Sequence, residues 1–156
     1  MLGGFLLVGC RGGAAGPVDV TGPRASGPVA SQCAALVAAT PSRVAGESRR
    51  VISPRDRFAA AWGDPPIVLT CGGSAPGALH ATSQCFVVDR VGWLVTQRGK
   101  PVDPTRPLSG EIDFTTIGRS AYVEVRVPGP YQPAADILVD LAGPIRRHTT
   151  QPHPCR

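Results

Sequence analysis

Residues 121–127 read AYVEVRV, and this stretch decides the fold. Val123, Val125 and Val127 alternate with Tyr122, Glu124 and Arg126, the period-two pattern of a strand with one apolar and one polar face. A strand of this kind belongs to an antiparallel sheet covered on one side, with the other side left to water. The segment just before it, EIDFTTI at 111–117, is a second strand, joined to the first through Gly118-Arg119-Ser120. Further upstream, CFVVDRVGWLVTQ at 85–97 reads as a hairpin turning near Asp89-Arg90-Val91-Gly92. In AWGDPPIVLTCGG at 61–73 the two prolines exclude a central strand at Asp64-Pro65-Pro66. They form a lead-in turn, with a cis peptide one option, to a strand at 67–71 that puts Ile67, Leu69 and Cys71 on one face. RRVI at 49–52 adds a weak strand candidate.

Two helices flank these strands. In PVASQCAALVAAT at 28–40, Cys33, Leu36, Val37 and Thr40 recur at helical spacing and share a face. At 133–148, Ile137, Leu138, Leu141 and Ile145 form the apolar side of a second helix, which Gly143-Pro144 is expected to kink or split. Arg146, Arg147 and His148 suit its C-terminal dipole. Residues 98–110 hold three prolines and two glycines and read as an exposed, mobile loop. The expected fold is therefore α+β: one domain over 31–156, core about 31–147, with an antiparallel sheet of about five strands and the terminal helices packed on one face.

With 156 residues there is room for one such core. The formal charge is +5, yet Lys100 is the only lysine among 16 basic residues, and asparagine is absent. Ala, Gly, Pro, Arg and Val dominate, a composition that points to a high-GC bacterial genome. The arginines are spread along the chain rather than grouped in a block, and aromatic residues make up only 5%, so nucleic acid is not an expected partner.

The chain opens MLGGFLLVGC. The apolar run at 2–9 is far shorter than the ~20 residues a membrane-spanning helix needs. Leu7-Val8-Gly9-Cys10 resembles a bacterial lipobox, in which the cysteine thiol takes a diacylglyceryl group and cleavage leaves that cysteine as the new N-terminus. The motif needs a thiol nucleophile, a small residue before the scissile bond and apolar residues further back, and all three are present. On this reading 1–10 is a signal-peptide remnant ending at Cys10. No basic segment precedes the apolar run, as a secretory signal requires, so the true start is expected upstream of Met1. Residues 11–30, rich in Gly, Pro and Ala, would be a flexible tether letting the domain reach tens of Å outward.

The cysteine count then becomes even. With Cys10 lipidated, Cys33, Cys71, Cys85 and Cys155 remain. Outside the cytosol four cysteines read as two disulfides, with three possible pairings. There is no CxxC, and His80, His148 and His153 are not spaced as zinc ligands, so neither a metal nor any other cofactor is expected.

In order along the chain, CAALVAAT, AWGDPPIVLTCGG, VGWLV, FTTIGRSAYVEVRVP and DILVDLA resemble the actinobacterial family known as domain of unknown function 3515, small predicted envelope lipoproteins. The resemblance covers about 31–147 and carries no catalytic signature. It implies that the helical cysteine and the cysteine of the LxCG strand, here Cys33 and Cys71, are paired, which leaves Cys85 with Cys155. The alternative is Cys71–Cys85 with Cys33–Cys155. The longer Pro-rich stretch at 98–110 and the missing basic n-region depart from the family pattern.

Candidates for chemistry are few. No GxSxG surrounds any serine, and CGGSAPG lacks the lysine and register of a phosphate-binding loop. His80 would be a general base if Asp89 or Asp64 oriented it, and otherwise an exposed loop residue. Glu111 and Asp113 share a strand face, as an acid/base or cation-binding pair or as solvated surface. The best ligand-site candidate joins Trp62 and Asp64 to Arg119, an apolar plate with two polar anchors. Its alternative is a Trp plugging the sheet edge beside a capped turn. The expected function is a non-enzymatic binding or accessory module, lipid-anchored to the outer face of the cytoplasmic membrane. Its expected partners are that membrane, an envelope protein or a cell-wall polymer. An enzyme acting on cell-wall material and a structural subunit of an envelope complex are the alternatives.

Overall fold

The computed structural model describes residues 15–103 and 105–155; Cys10 and the lipobox lie outside the described residues. Along the chain run β1 (Val18–Asp19), α1 (Gly27–Ala38), β2 (Arg43–Val44), β3 (Glu47–Arg50), β4 (Ile52–Ser53), β5 (Ala59–Trp62) and β6 (Ile67–Gly73). There follow β7 (Phe86–Val88), β8 (Val91–Gln97), β9 (Lys100–Pro101), β10 (Ile112–Thr116), β11 (Tyr122–Val127) and α2 (Ala135–His148). Among the described residues nine strands form one sheet in the order β2-β3-β5-β6-β11-β10-β8-β7, with β9 paired to β8, and every pairing is antiparallel. β1 and β4 form a separate parallel pair.

The α+β architecture with two helices agrees with the sequence reading; the sheet of about five strands does not, because it has nine. Most of the extra strands are only two residues long, below what alternation can reveal. β5 is the larger omission. Its sequence AAAW is poor in β-branched residues, and it is held as a strand by pairing with β6 from Ala59↔Thr70 to Trp62↔Ile67.

The strand at 121–127 behaves as its alternation requires. Val123, Val125 and Val127 are fully buried and join Trp62, Ile67, Leu69 and Cys71 beneath the helices. α1 contributes Cys33, Leu36 and Val37, and α2 contributes Ile137, Leu138, Leu141 and Ile145, the residues expected from helical spacing. Of the kink or split expected at Gly143-Pro144, the split does not occur: α2 runs through both residues as one helix. The turn between β7 and β8 places Asp89 and Arg90 at φ 42° and 64°, the paired positive angles of a two-residue hairpin turn. The peptide before Pro65 is cis, as are those before Pro54 and Pro133.

Both disulfides are Cys33–Cys71 and Cys85–Cys155, the pairing that the resemblance implies. The first ties α1 to β6 within the core. The second ties the tail beyond α2 to the start of β7. That tail also bonds to the β10–β11 turn: Thr150 O accepts from Ser120 N at 2.9 Å, and Gly118 O accepts from His153 N at 3.1 Å. Gly118 has φ +68°, and any side chain there would collide with the His153 carbonyl, so the close approach requires glycine.

The opposite face of the sheet departs from the reading of 11–30 as a tether. From residue 15 onward this segment lies on the domain. Val18 and Val20 are buried against Ala59 and Ala61, with Ile52 and Val68 packed beside them. The cause is the alternation V-D-V in 18–20, which sets two valines over a sheet surface of small apolar side chains. Val18 N donates to Val51 O at 2.8 Å, and Gly22 N donates to Asp56 Oδ2 at 2.8 Å, which satisfies two of the segment's backbone donors. No helix among the described residues is long and apolar enough to cross a membrane.

Candidate functional site

The three residues expected to share a ligand site are not brought together. Trp62 and Asp64 flank the β5–β6 turn, where Trp62 pairs with Ile67. Arg119 precedes β11, whose first residue Tyr122 pairs with Gly73, so it lies at the opposite end of β6. Trp62 is completely buried, and its Nε1 donates to Pro41 O at 3.0 Å. The Arg49 guanidinium sits 5.6 Å from its ring centroid. Asp64 is 72% exposed, 4.0 Å from Arg50. Arg119 is buried and donates to Thr149 Oγ1 and, at 2.8 Å, to Thr149 O. Burial lowers its pKa, and nearby Arg146 lowers it further. These residues seal the core edge, hold a turn and cap the end of α2.

His80 is exposed and pairs with no carboxylate among the described residues. Asp89 is engaged by Arg146 Nη1 at 2.6 Å, and Asp64 stands beside Arg50. Glu111 and Asp113 do share a face, but Arg126 occupies the space next to both, with Nε 3.0 Å from Asp113 Oδ1 and 3.6 Å from Glu111 Oε1. Its Nη2 lies 3.5 Å from Glu124 Oε1. The Glu124 pKa is raised, chiefly by burial and then by Asp113, with Arg126 opposing the shift. The Arg126 pKa is raised in turn by its hydrogen bond to Asp113. Among the described residues there is no cluster of three or more His, Cys, Asp or Glu arranged to hold a metal ion.

Among the described residues, two clefts lie along β11 on the polar face of the sheet. One, of about 420 Å³, lies between the 19–23 segment and the sheet and includes Thr70, Glu124 and Arg126. The other, of about 530 Å³, lies between the 79–85 loop and the C-terminal tail and holds Leu79, His80, Ser83, Tyr122 and His153 beside the Cys85–Cys155 bridge. It combines apolar surface with two imidazoles and two hydroxyl-bearing side chains, the mixture of a small polar-ligand site. Within it the 79–85 loop is braced by Ser83 Oγ, which accepts from His80 N at 2.7 Å and donates to Ala78 O at 3.3 Å. Of these residues the sequence singles out His80 as a candidate base, whereas Tyr122 figures there only as an outward strand position and His153 only among histidines not spaced as zinc ligands. His153 lay beyond the expected core, and its signal was Cys155 two residues on, since a staple at Cys155 must bring the tail to the sheet.

This arrangement defines a class: a small α+β domain with two helices on one face of an antiparallel sheet, crosslinked by two disulfides, with clefts on the other face. The family described as "Protein of unknown function (DUF3515)" matches residues 6–154, and the chain belongs to that family. No curated protein and no solved structure matches the chain.

Proposed function

We propose that this chain is an extracytoplasmic lipoprotein, anchored through Cys10 to the outer face of the cytoplasmic membrane, serving as a non-enzymatic binding or accessory module of the envelope. The observation that carries the reading is the pair of disulfides, which join cysteines 38 and 70 residues apart and engage four of the five cysteines. Structural disulfides of this kind persist in oxidising compartments. The fifth cysteine ends the sequence Leu7-Val8-Gly9-Cys10. The lipobox modification supplies at least two acyl chains, enough for stable attachment where one is marginal.

The binding role is supported by the cleft between the 79–85 loop and the tail. Its groups suit a ligand with hydrogen-bonding substituents on an apolar frame, such as a segment of cell-wall polymer or of a protein partner. Labelling cells of the source organism with a radioactive fatty acid tests the anchor. The native chain is expected to carry label and sediment with membranes, and the Cys10→Ser chain to lose both. Label retained by the variant would refute the assignment.

A further inference from the structure

The position of Gly16 on the domain bears on how a chain anchored at Cys10 would sit. Arg50 Nη2 donates to Gly16 O at 2.5 Å, and Val18 N bonds to Val51 O, so the first described residues lie beside Arg50 and Val51. From Cys10 to Gly16 there are six residue steps, spanning at most about 20 Å when fully extended. A domain of about 140 residues has a radius of gyration of about 14 Å. However residues 10–16 are arranged, that reach is less than the width of the domain, so in a chain anchored at Cys10 the edge bearing Gly16 would be held near the membrane surface.

That edge has a suitable chemistry. Val51 is 72% exposed, more than Val87, Leu108 or Val139. With Ile52, Arg55, Asp56 and Arg57 it lines a shallow apolar depression. Arg55 and Arg57 are exposed and form no ion pair among the described residues, whereas both Asp56 oxygens are engaged inward, by Gly22 N at 2.8 Å and Phe58 N at 2.7 Å. The carboxylates nearby are Asp64, next to Arg50, and exposed Asp19 on β1. Guanidinium forks bind phosphate oxygens in a bidentate manner, and a weak surface contact gains from the high effective concentration that a short tether imposes.

We infer that the edge bearing Val51, Arg55 and Arg57 rests on the anionic phospholipid surface in which Cys10 is anchored. The inference rests on the lipid-anchor reading. It turns the clefts along β11 into surfaces held close to the bilayer rather than carried outward on a long tether.

The test uses the full, natively lipidated chain in vesicles of phosphatidylglycerol and phosphatidylcholine with brominated acyl chains. Trp62 and Trp93 are fully buried and contribute a constant background. Two reporters are compared: Val51→Trp, and Val87→Trp on β7 at the opposite edge of the sheet. Both positions are exposed, so neither change disturbs the core. Bromine quenching several-fold stronger for Val51→Trp is expected. Adding Arg55→Glu and Arg57→Glu should reduce it to the Val87→Trp level. Equal, weak quenching in a chain that bears lipid and floats with the vesicles would overturn the docking and leave the anchor standing. A chain without lipid mass that fails to float would overturn the anchor itself, and the docking with it.

Discussion

The two faces of the central sheet are built from the same strands, yet they are organised differently. On the helix side Val123 and Val125 meet Trp62, Leu69 and Leu141 in one continuous core, crosslinked by Cys33–Cys71. On the other side the alternate residues meet three different neighbours. Ala59, Ala61 and Val68 are roofed by Val18 and Val20. Glu124 and Arg126 look into a polar cleft, and Tyr122 into the cleft beside the second disulfide. The comparison teaches where stability is lodged and where the proposed binding role would fall. One face is filled to exclude water, and the other leaves half-buried polar groups that a ligand can meet.

If that division is correct, the largest effect follows from cutting the staple on the helix side. Replacing both partners, Cys33→Ala with Cys71→Ala, releases a loop of 38 residues and is expected to lower unfolding free energy by about 4 kcal/mol. Urea titration of the two chains measures it. A loss below about 1 kcal/mol would mean that the bond does not constrain the unfolded chain as the loop-closure account requires. On the opposite face Val18→Ala removes two buried methyl groups, a cost of about 1.5 kcal/mol. Amide exchange should speed up at residues 18–22 and leave α2 unchanged. Acceleration across the whole domain would break the distinction between the two faces.

The smallest effect concerns Glu124. Its pKa in the folded chain is raised, so the native state favours the neutral carboxyl. The associated stability is fully present below the unfolded value and is lost as pH rises through the elevated one. Glu124→Gln should therefore match the native chain in acid and become the more stable of the two as pH rises past that range. Partial exposure keeps the difference below about 1 kcal/mol. Thermal unfolding at several pH values reads it, and a native chain more stable than the variant at neutral pH would contradict the sign.

Much of the helix-covered face was legible in the sequence because burial there enforces a period. The valines of 123–127 and the apolar positions of both helices announce their partners by spacing alone. β5 was not legible, since three alanines carry little strand preference and only pairing with β6 fixes them. The roof at 18–20 was hidden by its Gly- and Pro-rich surroundings, which read as a tether although two valines with a place to pack outweigh them. The site was less legible still. Trp62 and Arg119 are chemically suggestive residues spent on closing the core and capping a helix, and sequence does not tell which end of a strand a turn occupies. Tyr122 and His153 share a cleft because a disulfide closing across 70 residues, together with the tail's bonds to the β10–β11 turn, brings the tail to the sheet.

The measurement that bears most directly on the account is the intact mass of the native protein extracted from membranes of the source organism, with thiol alkylation before and after reduction. The account predicts a chain beginning at Cys10 with added lipid mass, no alkylation before reduction and four alkylated cysteines after it. An unlipidated chain, or one with thiols that alkylate without reduction, would contradict it.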